Sequence, residues 1–281
     1  MRHFVLISIL LFCGCQNPSH NSFDSLSRAF VKWYYKNNPT QASRVNLANY
    51  HSNYKINNYK NNEQYLLDLN RFYFELTQIN HNKMSKVKKR EYHRLEKFML
   101  KLLYKEESIQ SRQWTPIFEI IEIEKGLRYL LNYNYLSMKN KMQNLSLRLD
   151  KINQILDNSL TNLFFISIED YSQSIKKIDL IITLLGNINE RVDSEDSNYD
   201  RVISKSKDII LRLKKYKKEL LGANSDFKDF KEGYAINNDS FSIMTEVDME
   251  INYIYNKATT NLRTEQIKLF KNCLPIYMAY E

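Results

Sequence analysis

The chain has 281 residues, 43% of them hydrophobic and 26% charged, with 41 Lys and Arg against 32 Asp and Glu for a formal charge of +9. That length suffices for one large domain or two small ones with a proper core. A basic balance points to nucleic acid or anionic lipid, but Lys, Asn, Ile and Tyr are abundant together, as AT-rich codons make them, so the lysines need no nucleic-acid ligand and that partner is excluded.

Met1-Arg2-His3 is a short basic start, and Phe4 to Phe12 is apolar except for Ser8. As a helix that run spans about 13 Å, against ~30 Å for a bilayer interior. It reads as an export signal that is cut off rather than a membrane span. Gly14 directly before Cys15 resembles the processing box of bacterial lipoproteins, in which the cysteine sulfur is acylated. Phe12 stands where Leu is usual, and an ordinary secretory signal is the plainer alternative. The expected organisation is a cleaved signal over 1–14, a tether over 15–22 and one all-α domain over 23–281. Cys15 carries lipid, palmitate included, and holds the protein on the outer side of a membrane in the cell envelope. Two or more acyl chains make such attachment effectively stable. Of three cysteines only Cys273 then remains, so no internal disulfide is possible.

Five Gly and four Pro, long Leu/Ile/Lys/Glu segments and no sustained period of two predict an all-α bundle, of about eight to ten helices. Phe23 to Lys36 is the first, closed by Asn37-Asn38-Pro39. Residues 40–62, rich in Asn, Ser and Tyr, read as a long irregular loop. Gln64 to Ile79 and Lys86 to Lys105 are helices with apolar residues at helical spacing. Thr115-Pro116 opens another, running to about Tyr135, since Pro at the first helical position gives up only an unneeded N–H. Leu145, Leu149, Ile152, Leu156, Ser159 and Leu163 form the clearest stripe. Ser167 caps a helix through Leu185, with Asp170 placed to answer it. Residues 187–198 are a polar loop, Tyr199 to Leu221 a lysine-laden helix stopped by Gly222, and 223–239 a second irregular stretch. Helices from Ser240 to about Asn272 follow, and Pro275 interrupts near the end.

Taken in order, these segments resemble a bacterial family, the domain of unknown function 885, often found as exported lipoproteins. Phe30-Val31-Lys32-Trp33-Tyr34 followed by Pro39-Thr40-Gln41-Ala42-Ser43 and Asn49-Tyr50 is similar to its opening aromatic helix, "Pro-x-x-Ala-[Ser/Thr]" turn and tyrosine loop. Trp114-Thr115-Pro116 resembles its tryptophan-proline turn, and Leu127-Leu130-Leu131 the helix after it. Arg148-Leu149-Asp150-Lys151-Ile152 with Leu160-Thr161-Asn162-Leu163 resembles its "Arg-Leu…Ile-Pro…Asn-Leu" helix, and Asp226-Phe227 with Gly233 its "Asp-Phe…Gly" segment. The resemblance spans roughly 23–272 and implies an all-α fold and an exported address. Full-length members look like zinc peptidases whose H-E-x-x-H helix, two His binding zinc around a water-activating Glu, lies in a half with no counterpart here. His3, His20, His51, His81 and His93 include no two four apart. No metal ligand, catalytic residue or cofactor site is therefore assigned.

The remaining candidates have structural readings beside their chemical ones. His93 and Glu96 make half of a bundle-type metal site, or a solvated i,i+3 ion pair. Glu119, Glu122 and Glu124 offer paired carboxylates for acid–base work, but the helix dipole also favours acids in an early turn. Cys273 reads as a buried spectator thiol. Of the 20 Tyr and 14 Phe, most pack between helices. A groove for peptides or glycans would draw on the groups Trp33-Tyr34-Tyr35, Tyr50/Tyr54/Tyr59 and Tyr129/Tyr133/Tyr135, above all on Trp33, Tyr50, Tyr54 and Trp114, with loop 40–62 beside the Trp114 turn. The expected function is a membrane-anchored, non-catalytic helical module that binds a partner protein or peptide. The alternatives are one piece of a split zinc metallopeptidase whose metal-binding half is on another chain, and a helical surface adhesin.

Overall fold

Serine and asparagine start most of the helices. Ser22, Asn58, Ser85, Ser137 and Ser167 each stand in extended backbone and accept a hydrogen bond from the N–H three residues on, satisfying a donor that the first helical turn leaves open. The structure, a computed structural model, describes residues 22–109, 111–132, 136–164, 166–188, 197–222 and 251–278. Its helices are α1 (Phe23–Asn37), α2 (Pro39–Arg44), α3 (Tyr59–Thr77), α4 (Lys86–Tyr104), α5 (Ile117–Asn132), α6 (Met138–Asn162), α7 (Ile168–Gly186), α8 (Ser197–Gly222) and α9 (Ile251–Met278). No strand occurs among the described residues, so the fold is an all-α multi-helix bundle.

Two apolar cores form. In the first, α1, α3 and α4 enclose Phe23, Leu26, Phe30, Leu69, Phe72 and Met99, with Trp33 stacked on Tyr65 at 4.8 Å between ring centres. In the second, α5, α6, α7 and α8 pack on one another around an aliphatic interior. The predicted stripe Leu145, Leu149, Ile152, Leu156 and Ser159 is buried there along α6. Ser159 is its polar member, and its hydroxyl meets the buried Tyr216 hydroxyl from α8. α2 lies on α5 and joins the two groups.

Three expectations change. Residues 40–62 are not one irregular loop: Pro39 at a first helical position starts α2, and the Asn58 cap starts α3 at Tyr59. Asn and Tyr lower helix propensity, and here capping and packing override it. α9 continues past Pro275 to Met278, although the proline gives up one intrahelical donor, its own N–H. Cys273 is exposed rather than buried: every described α9 side chain from Tyr253 to Cys273 is exposed, apolar ones included. No described helix is long and apolar enough to cross a membrane. The signal, Cys15 and the tether up to residue 21 lie outside the described residues, as does the stretch 223–250 with the Asp226-Phe227…Gly233 segment.

Candidate functional site

The seam between the two cores is polar and charged. After α4 the chain runs through a π-helical turn, Lys105–Ile109, and a short 3-10 turn, Ser111–Gln113. These place Glu106 and Arg112 opposite the start of α5. Thr115 caps that start by accepting from the Ile117 N–H at 3.3 Å, which turns Glu119 inward. Arg112 grips Glu106 with both terminal nitrogens, the second at 3.2 Å, and its Nε lies 3.2 Å from Glu119 Oε1. Asn57 Nδ2 donates to the same Glu119 oxygen at 3.1 Å. Lys55 sits over the Tyr65 ring, 4.0 Å from its centre, with Nζ 3.8 Å from Glu106, and Lys105 lies over Phe118 at 4.6 Å.

Desolvation and charge act against each other here. Burial raises Glu106, but Arg112 and Lys55 outweigh it and hold the carboxyl below its ordinary value. Glu119, more deeply buried, ends above its ordinary value despite Arg112. Burial, with Arg112 nearby, pulls Lys55 down to about 8, and Lys105 is lowered for the same reasons. Glu119 Oε2 and Asn57 Oδ1 are buried without a hydrogen-bond partner among the described residues.

Of this cluster, Glu106 and Arg112 line a cleft of about 530 Å³, together with Gln113, Asn62 and Asn162 among others, while Glu119 is buried out of its lining. Two aromatic rings, Tyr59 at 79% exposure and Phe164 at 75%, stand at its rim. The walls are tied together: the Phe164 N–H donates to the Gln113 carbonyl at 2.7 Å, and Asn162 Nδ2 to the Asn57 carbonyl at 3.3 Å. Exposed ring faces, side-chain amides and an anchored guanidinium–carboxylate pair suit a polar extended ligand. They offer packing surface, amide hydrogen bonds and fixed charge together.

A second buried polar group holds the seam from the other side. Arg148, fully buried on α6, donates to the Gly126 carbonyl of α5 and, at 2.6 Å, to Ser43 Oγ of α2. Its guanidinium lies 5.0 Å from the Tyr54 ring centre. His51 Nδ1 is 3.2 Å from the same Ser43 oxygen, and Tyr54 donates to the Ile123 carbonyl at 2.9 Å. These groups clamp α2, α5, α6 and loop 51–58.

The four aromatic residues proposed for a groove are dispersed. Tyr54 is buried against α5 and presents no open face. Trp33 is half-buried in the first core, donating to Asp68 at 3.0 Å. Trp114 is half-buried beside the seam, and Tyr50 lines a separate surface groove next to α1. The cleft instead uses Tyr59 and Phe164. Tyr59 belongs to the tyrosine group Tyr50/Tyr54/Tyr59 expected at such a groove, whereas Phe164, next to Phe165 after the α6 stripe, carries no signal in the sequence beyond its hydrophobicity. Glu119 and Glu124 are buried in ion pairs, Glu124 with Arg128 and with Lys177 of α7. His93 and Glu96 make an exposed 3.2 Å contact. No three His, Cys, Asp or Glu side chains gather as metal ligands would among the described residues.

No protein-family model matches the chain, and no curated protein matches it. A solved structure of a candidate lipoprotein of unknown function from Shewanella oneidensis superposes on it with a TM-score of 0.72 at 15% identity. The match covers 92% of this chain and 49% of that one, so the chain spans about half the length of its structural neighbour. At that identity the likeness is one of fold.

Proposed function

We propose that this protein is a bacterial envelope lipoprotein, anchored through lipid on Cys15, that works by binding an extracytoplasmic peptide rather than by chemistry. The observation that carries the binding reading is the Tyr59–Phe164 cleft lined by the Arg112–Glu106 pair, with Glu119 buried against Arg112. The Gly14-Cys15 box carries the anchor, and the structural neighbour is itself a candidate lipoprotein. Two measurements test the two parts. The intact mass of the membrane-extracted protein gains acyl chains in the wild type and not in Cys15→Ser. A mixed short-peptide library passed over the immobilised protein leaves a retained subset, and Tyr59→Ala/Phe164→Ala loses it. Equal retention by both proteins removes the cleft from the reading.

A second reading rests on α9. Tyr255, Leu262, Ile267, Leu269 and Phe270 are exposed along it, as a helix awaiting a further half would be. The structural neighbour has about as much chain again beyond the matched region. Under this reading the chain is the N-terminal helical half of a two-part assembly of the domain of unknown function 885 type, with a zinc-binding half supplied separately. Sequencing the neighbouring DNA for an H-E-x-x-H helix and co-expressing its product tests this. A 1:1 complex with zinc-dependent peptide cleavage supports it, and independent purification of the two chains removes it.

A further inference from the structure

The sequence between Asp24 and Glu63 contains no acidic residue, yet carries Arg28, Lys32, Lys36, Arg44, Lys55 and Lys60. The fold gathers part of this excess on one face. Arg28, Val31, Lys32 and Tyr35 recur at helical spacing along α1 and, with Leu47 and Tyr50 from the next loop, line a shallow groove of about 480 Å³. Val31 is 46% exposed, Val45 52% and Leu47 38%. Lys36 and Arg44 are exposed beside them. The apolar residues are lifted by the backbone: Asn46 sits at φ 61° between Val45 and Leu47, a left-handed turn that Asn tolerates better than most side chains.

Exposed apolar side chains interleaved with lysine and arginine, with no acid among the groove's lining residues, match the interface of an anionic bilayer; Asp24, one turn before Arg28, borders the face and is paired with Lys88. Basic groups near such a surface are drawn to its anionic headgroups, and valine, leucine and tyrosine settle at headgroup depth. Position agrees with chemistry. Cys15 and Ser22 are only seven positions apart, a stretch that reaches about 25 Å when fully extended. α1 begins at the next residue, so a lipid on Cys15 keeps this face within reach of the membrane.

The geometry points to a membrane-docking face on α1 and loop 45–50, which recognises anionic phospholipid and fixes the orientation of the anchored protein. This inference rests on the lipid anchor proposed above. Docking would hold α1 against the surface instead of leaving the domain free on its tether.

The test uses the processed protein extracted from membranes, in a Cys273→Ser background, carrying an environment-sensitive dye on Val31→Cys or, as a comparison, on Leu211→Cys. It is reconstituted into vesicles of phosphatidylcholine alone or with 30% phosphatidylglycerol, containing headgroup-depth spin-labelled lipid. The expected result is quenching at position 31 at least threefold stronger than at 211 with phosphatidylglycerol. High salt should remove the difference, as should Arg28→Glu/Lys32→Glu, whose unchanged melting temperature would show an intact fold. Equal quenching at both positions, or equal quenching with and without phosphatidylglycerol, overturns the proposal. A dye at position 31 that is shielded but not quenched also overturns it, in favour of a second copy or another protein on this face. Should the intact mass show no lipid on Cys15, the anchor reading fails separately. The face is then judged by co-sedimentation of the unlipidated protein with the same vesicles: binding lost on the double charge reversal supports it, and no binding overturns it.

Discussion

The two cores of this protein use different materials. Around α1, α3 and α4 the interior is largely aromatic: Phe30 alone meets Trp33, Tyr34, Phe72 and Phe98 at centroid distances between 5.6 and 6.1 Å. Around α5 to α8 it is almost wholly Leu and Ile, with Tyr54 and Tyr216 the buried rings. Aromatic residues bring polar handles that need partners, and Trp33 finds one in Asp68. Aliphatic residues bring none, so apart from the Ser159–Tyr216 hydroxyl pair the stripe along α6 needs no polar partner. Charged groups are buried at the seam where the two meet. The difference teaches that the seam, rather than either interior, is where the molecule has specific chemistry to lose.

Breaking the seam should therefore cost more than trimming either core by one contact. Arg112→Leu leaves Glu106 and Glu119 without their shared cation in a site shielded from water. Removing one partner from such a group costs about 3–5 kcal/mol. Urea unfolding read through single-tryptophan variants checks it, since Trp33 reports the aromatic core and Trp114 the seam. The expected result is that both midpoints fall together. A fall seen by Trp114 alone would show the cores unfolding independently.

Lys55 sharpens the comparison through pH. Burial holds its folded pKa at about 8, against 10.5 for an ordinary lysine. Below about pH 8 both folded and unfolded chains carry the proton, and the burial penalty is fully present. Between about 8 and 10.5 the unfolded chain binds more protons, so stability rises with pH, by up to about 3 kcal/mol. Tyr54, Tyr65 and Tyr216, whose pKa values burial raises, turn the trend down above pH 10. Urea midpoints from pH 7 to 11 should show the rise, and Lys55→Met should flatten it.

The smallest effect tests the clamp on the aliphatic side. A methyl group at Gly126 would stand 2.2 Å from Tyr54 Cε1, so Gly126→Ala must displace the ring. Such overpacking costs about 1–3 kcal/mol. In a Tyr54→Leu background the same change should cost much less, and a thermal-melt double-mutant cycle reads the coupling. Additive effects would place the strain elsewhere.

By itself the sequence determined most of the helices and the α6 stripe that lines the second core, though not α2, which lies at the start of the expected loop 40–62. Glycine scarcity, the α6 stripe and the Ser167 cap are local signals, because burial of one helix face and capping of one turn depend on residues three or four apart. It also showed the charge asymmetry of residues 25–62, which is compositional. Tertiary structure alone decided that Arg148 of α6 would meet Ser43 of α2, 105 positions away. It likewise brought Tyr59, Arg112 and Phe164 to one cleft, left Trp33 and Tyr54 as packing residues, and left Cys273 exposed. Those outcomes depend on which helices become neighbours, and side chains distant in sequence carry no mark of that until the cores have closed.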